Sequence, residues 1–285
     1  MEKDLAIITS GGAFLCGYGG GAMLALAEKF KIKTPSVLIS ASGSSGNGSY
    51  FITGQYDSIR NAWEKDLSSK EILDFKRIPN VLDVDYIIDN LLRKKSPINE
   101  EKIYTSPTNY FIPAMNRKTG RIEYFWNKDG KTDFFEAMRA TMAVPFFYRL
   151  SPHVEINGST YCDSRLSSSS KTHIKKAVDS GSEKILLINN YPKKGASGLE
   201  RYIENYLADF WLKIQDKEFK KNYYEEEKTL LNYNPPKKTK VFTLEPRENQ
   251  KHDRLNNDPI LLAESFQKGY IECSSNEDLK RFLED

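Results

Sequence analysis

The sequence is poor in the residues that staple or metallate a fold. It holds three cysteines, Cys16, Cys162 and Cys273, and no CxxC pair. An odd count without that spacing excludes a disulfide framework and argues against a cysteine-built zinc site, so reduced thiols are expected. The three histidines, His153, His173 and His252, form no HExxH pair, so a histidine zinc site is not expected either. An excess of one charge is also missing. Lys and Arg number 42 against 39 Asp and Glu, a net +3, which gives no support to nucleic-acid binding. No stretch approaches the ~18 uncharged apolar residues of a membrane span. Met1-Glu2-Lys3-Asp4 runs straight into a strand-like segment without the pattern of a secretory signal. A cytoplasmic location is therefore expected.

What is present suits a globular enzyme-sized chain: 285 residues, 39% hydrophobic and 28% charged. Leu5–Ile8 reads as a buried strand, Ser10–Ala13 with Gly17 and Gly19–Gly21 as a glycine loop, and Ala22–Lys29 as a helix. Ser36–Ser40 is a second strand, followed by Ala41–Gly48, and Tyr50–Ile52 opens another helix. Two strand–turn–helix units in succession indicate an α/β sheet with parallel strands. Residues 58–100 read as helical with breaks at Pro79 and Pro97. Further on come strands at Tyr110–Ala114 and Arg121–Phe125, a helix at Asp133–Met142, and a hairpin turning at Asn157-Gly158. Strands follow at Lys184–Asn189 and Val241–Leu244, then a closing helix at Pro259–Tyr270. Without repeats or low-complexity linkers, a single domain over 1–285 is expected, with a mobile helical segment at about 197–238.

Three segments have residue types suited to chemistry. Ser42-Gly43-Ser44-Ser45-Gly46 lies between a strand and a helix, as a nucleophile elbow does; its sharp turn demands small residues two positions either side of the serine. Ser44 then sits at the tip, with Ser42 and Gly46 as the small neighbours, and placing Ser42 or Ser45 there would break the spacing. The bland alternative is a small-residue turn. Ser10-Gly11-Gly12-Ala13 is suited to aiming successive N–H groups at an anion, as an oxyanion hole requires. Gly17–Ala22 also fits the GxGxxA dinucleotide pattern, but Ile39-Ser40-Ala41 lacks the acidic residue that pattern wants; close helix–strand packing accounts for Gly20 and Gly21 instead. Asp163 alone reads as a turn former.

In order and spacing these blocks resemble the patatin-like phospholipase family. The glycine segment Ser10–Gly17, the elbow Ser42–Gly46, the block Met138–Phe147 running on to Ile156-Asn157-Gly158 and Tyr161-Cys162-Asp163, and the closing Asp253–Pro259 and Gly269-Tyr270 carry the likeness. The resemblance implies a three-layer α/β/α fold with a mainly parallel central sheet. It also implies a Ser–Asp dyad of Ser44 and Asp163, an oxyanion hole at Gly11, Gly12 and Ala13, a lipid or acyl-ester substrate, and no cofactor or metal. The chain departs from the family at Ala13, Leu15, Cys16 and Ser164-Arg165, where a weakened enzyme or a lipid-binding protein is the alternative. A Ser44–Asp163–His252 triad of the α/β-hydrolase kind is a further alternative; His252 and His173 both lie in polar sequence and read as surface residues. Tyr202, Ile203, Tyr206, Leu207, Phe210, Trp211 and Ile214 recur at helical spacing, read first as a packed helix and second as an interfacial surface for transient membrane contact.

Overall fold

In the computed structural model, residues 2–78, 80–163, 170–191, 206–207, 209–251 and 253–284 are described. The apolar runs of the sequence become the inner strands of one mixed sheet. Its members are β1 (Glu2–Thr9), β2 (Pro35–Ser40), β3 (Asn109–Asn116), β4 (Ile122–Trp126), β5 (Val154–Ile156), β6 (Ser159–Cys162), β7 (Lys184–Ile188) and β8 (Lys240–Leu244). The order is β5-β6-β3-β2-β1-β7-β8, with β4 also pairing with β3. The five strands β3-β2-β1-β7-β8 run parallel, and β4, β5 and β6 add antiparallel pairings at one side. Parallel strands covered on both faces read as continuous apolar runs, as Leu5–Ile8 and Ile185–Ile188 do.

The helices are α1 (Gly17–Glu28), α2 (Ser44–Ile52), α3 (Tyr56–Asn61), α4 (Glu100–Thr105), α5 (Phe134–Met142), α6 (Ser170–Asp179), α7 (Lys217–Leu231), α8 (Pro259–Ser274) and α9 (Glu277–Glu284). Side chains alternate across β1. Leu5 and Ile7 join a large core with Tyr18, Leu24 and Phe266 from α1 and α8. Ala6 and Ile8 join a smaller one with Ala177 of α6. The expected α/β/α layering is thus present, with the C-terminal ends of β1, β2 and β7 converging on one edge.

Several elements differ from the sequence reading. Tyr50–Ile52 closes α2 rather than opening a helix, because the helix already starts at Ser44. The 58–100 stretch is not continuous helix: wide π-helical turns occupy Ala62–Asp66 and Tyr86–Lys95. Between them the chain is mostly irregular around a Leu73–Leu82 bridge. A final helix, α9, follows α8. The Asn157-Gly158 hairpin forms as read, with φ of 51° and 76°. Among the described residues no helix is long and apolar enough to cross a membrane.

Gly20 and Gly21 of α1 face other helical segments, not a strand. A Cβ on Gly21 would lie 1.9 Å from the Phe266 carbonyl oxygen of α8, and one on Gly269 would lie 1.9 Å from that of Tyr18. Backbone atoms cannot rotate away, so Gly21→Ala is expected to destabilise at the upper end of the ~1–3 kcal/mol for overpacking. A Cβ on Gly46 meets only Leu92 Cδ1 at 3.9 Å. Gly46→Ala is therefore expected to leave the melting temperature unchanged or raised, since Ala is the better helix former. Thermal unfolding of the two variants checks the contrast.

Candidate active site

The sharp turn after β2 falls at Ser42. Its φ is +50°, a left-handed value that a non-glycine residue adopts only when its surroundings hold it there. They do so from two directions: Ala41 N–H donates to the Thr9 carbonyl at 3.2 Å, and Ser42 N–H donates to Thr141 Oγ1 of α5 at 2.9 Å. Gly43 caps α2, whose first residue is Ser44. The small neighbours two positions from the tip are then Ser40 and Ser44. The expected tip, Ser44, is fully buried; its hydroxyl donates to the Ser10 carbonyl at 2.8 Å and accepts from Asn190 Nδ2 at 3.2 Å. The Ser42 hydroxyl makes no hydrogen bond among the described residues. The register expected from spacing is thus displaced by two, because Ser40-x-Ser42-x-Ser44 satisfies the same steric rule as Ser42-x-Ser44-x-Gly46.

The glycine segment lies directly against this turn. A Cβ on Gly11 would meet Ser42 Cβ at 3.0 Å and Ser42 Oγ at 3.8 Å, and one on Gly43 would meet the Ala13 carbonyl at 2.9 Å. Gly12 and Ala13 have φ of +151° and +48°. Ala13 thus bears the strain that its departure from glycine implies. The flanking amides are spoken for: Ser10 N–H donates to Ile188 O, Phe14 N–H to Arg254 O, and Leu15 N–H to Gly12 O. The N–H groups of Gly11, Gly12, Ala13 and Gly43 donate to no described backbone partner. Of these four residues, Gly11 comes nearest the Ser42 hydroxyl, and Gly43 adjoins Ser42 in the chain.

Asn190, just past β7, was invisible as a site residue from sequence. It is fully buried and fastens the whole loop. Its Nδ2 donates to Ser10 O at 2.6 Å and to Ser44 Oγ, its Oδ1 accepts from Gly19 N–H at 2.9 Å, and its own N–H donates to Ser10 Oγ at 2.9 Å. The signal was its place at the carboxyl end of a parallel strand, where α/β sheets build their sites.

Asp163 follows β6 and is 1% exposed. Its N–H donates to the Ala143 carbonyl at 3.1 Å. The end of α5 thus holds the serine turn through Thr141 and the aspartate through Ala143, two residues apart. Burial pushes the neighbouring Cys162 thiol up to about 12, so it is a neutral thiol rather than a rival nucleophile. Ser164, Arg165 and His252 lie outside the described residues.

His173 is not a surface residue. It is 4% exposed on α6, with Nδ1 paired to the Tyr124 hydroxyl at 2.9 Å. Desolvation lowers its pKa from 6.5 to about 4. Between those values the unfolded chain binds the proton and the folded one does not, so stability falls as pH drops through that window and is complete above it. His173→Gln is expected to flatten this part of the stability curve, measured by denaturant melts at pH 7 and pH 5.

Ser42 borders two cavities. One is apolar, lined by Ala13, Phe14, Trp63, Leu82, Ile87, Leu91, Leu92 and Met142 among others, and with its mouth encloses about 670 Å³ of empty space. Its Trp63 and Asn47 side chains are occupied: Trp63 Nε1 donates to Asn47 Oδ1 at 2.7 Å, and Asn47 Nδ2 to Cys16 O at 3.0 Å. The π-helical turns supply Trp63, Ile87, Leu91 and Leu92 to its wall. The second cavity, toward α6, is lined by Ser10, Gly11, Ser42, Ser170, His173, Asn189 and Tyr191 with Ile8, Ala41 and Leu187. Among the described residues no three His, Cys, Asp or Glu side chains gather as metal ligands.

A sequence profile described as patatin-like phospholipase matches residues 7–174, more than half of the chain and the part that builds this site. The chain belongs to the patatin-like phospholipase family. Membership supports lipid acyl hydrolase activity in general terms. Among solved structures, VipD from Legionella pneumophila shares the fold at a TM-score of 0.51, with 11% identity over 99% of this chain and 67% of that one. Comparison with curated proteins finds no significant match.

Proposed function

We propose that this patatin-like chain is a serine acyl-ester hydrolase of the phospholipase A or lysophospholipase type, working through a Ser–Asp dyad in which Ser42 is the nucleophile and Asp163 the base. The observation that carries the reading is the left-handed Ser42, its hydroxyl unengaged among the described residues, packed against Gly11 in a glycine segment whose Gly11, Gly12 and Ala13 N–H groups donate to no described backbone partner. Asp163 takes the Ser42 proton as Oγ bonds to the ester carbonyl carbon. The amides of Gly11, Gly12, Ala13 and Gly43 hold the resulting oxyanion. Collapse expels the alcohol, which leaves with the proton from Asp163. Water, deprotonated by Asp163, then attacks the acyl-enzyme, releasing the fatty acid and restoring Ser42. The apolar cavity accommodates the acyl chain, since a hydrocarbon tail gains by leaving water for a dry wall. Purified protein incubated with a lysophospholipid is expected to release fatty acid. A folded protein that releases none from any lipid ester would instead favour the lipid-binding alternative.

Membrane contact is part of this proposal. The aromatic stripe divides in the structure: Trp211 is 1% exposed, whereas Tyr206, Phe210 and Ile214 are 63%, 47% and 60% exposed. Tyr202 and Ile203 fall outside the described residues. Phe210 lies against Phe146, two residues from Val144 of the acyl cavity, and Lys213, Lys217 and Lys221 are exposed nearby. This combination suits an anionic lipid surface. The double change Phe210→Ser with Ile214→Ser is expected to lower co-sedimentation with anionic vesicles at least threefold; unchanged binding would remove the stripe from the proposal. Buried Trp211 is no reporter of this contact.

A further inference from the structure

We propose that His173 determines specificity for the leaving alcohol, its Nε2–H donating to a hydroxyl carried next to the scissile ester, so that the site favours single-chain glyceryl esters over esters of simple alcohols. The inference rests on Ser42 being the nucleophile. Ser42 lies in the wall of both cavities, one on each side of the serine turn. An apolar chamber suits the acyl chain, which leaves the chamber toward α6 for the alcohol half. That chamber offers hydroxyl, amide and imidazole groups from Ser10, Ser170, His173, Asn189 and Tyr191. These side chains bear no formal charge at neutral pH, His173 being held neutral by burial. Such a lining recognises hydroxyl groups by hydrogen bonds.

Within this lining the His173 ring is held in one orientation. It is buried, and its Nδ1 is paired with the Tyr124 hydroxyl at 2.9 Å. Among the described residues that phenol makes no other hydrogen bond, so donating to Nδ1 is the arrangement that leaves no hydroxyl proton idle. The ring proton then sits on Nε2, which has no partner among the described residues. A pre-placed donor facing a polar cavity next to the reacting hydroxyl is a means of selection, because a substrate without the matching acceptor leaves that donor unsatisfied.

The two amide variants separate the roles of the ring nitrogens. His173→Asn keeps a group near Nδ1 for Tyr124 and removes the donor at Nε2; His173→Gln extends a donor to the Nε2 position. kcat/KM is measured for 1-decanoylglycerol and ethyl decanoate, which share an acyl chain and differ in the free hydroxyls. His173→Asn is expected to lose about tenfold on the glyceryl ester, the scale of one hydrogen bond, with the ethyl ester within about twofold, and His173→Gln to retain most of the wild-type preference. Equal losses on both esters, or no change in their ratio, would overturn the specificity role while leaving the hydrolase intact. A wild type that cleaves neither ester, or a Ser42→Ala variant that cleaves both, would overturn the underlying hydrolase reading itself.

Discussion

Ser42→Ala is expected to lower kcat on lipid esters by at least ~10⁴, the scale on which removal of a nucleophile acts once binding and the oxyanion donors remain. The change should leave the fold intact. Ser42 is near the surface of two cavities, its hydroxyl contributes no described hydrogen bond, and Ala also relieves nothing that the turn depends on, since Ser42 N–H still meets Thr141 Oγ1. Ser44→Ala provides the contrast. It deletes a hydroxyl buried against the Ser10 carbonyl and Asn190, so it should cost about 1 kcal/mol of stability and less than tenfold in kcat. Steady-state kinetics with one fluorogenic ester, alongside melting curves, measure both. Loss of turnover confined to Ser44→Ala would return the nucleophile to the register expected from spacing.

Asp163→Asn is the second large effect. The amide keeps the volume and leaves the backbone bond to Ala143 in place, but it accepts no proton at neutral pH. Loss of the general base is expected to lower kcat by about 10²–10⁴ with a melting temperature close to that of the wild type. Because no histidine is assigned to proton transfer, His173→Gln should retain turnover where Asp163→Asn does not. Activity in Asp163→Asn approaching that of the wild type would remove the aspartate from the mechanism.

Much of the fold was legible because local signals agreed with the tertiary outcome. Leu5–Ile8 and Ile185–Ile188 are apolar on both faces because both faces are covered. Asn157-Gly158 turns where both residues accept positive φ. Asp133 and Asp258 cap α5 and α8 by accepting from first-turn amides. The position of the sharp turn was legible to within two residues. From Ser40 to Gly46 small side chains allow two registers, and the choice between them depends on where β2 ends and on Thr141, 99 positions along the chain. No local pattern carries that information. The places of Asn190 and His173 beside this turn were illegible for the same reason, His173 reading as a surface residue. Their neighbours in sequence are polar or unremarkable, and only the sheet order brings β7 beside β1 and lays α6 over the serine turn. The stretch between the π-helical turns was misread because its apolar residues serve different surroundings, Leu67 and Leu82 the cavity wall and Ile72 and Val84 the core, rather than one face of a regular helix.

The most direct test of the nucleophile is covalent. After treatment with a fluorophosphonate, fragmentation of the peptide spanning Ser36–Arg60 should place the phosphonate on Ser42. An adduct on Ser44 or Ser45, or a folded protein that takes up no label, would contradict the assignment.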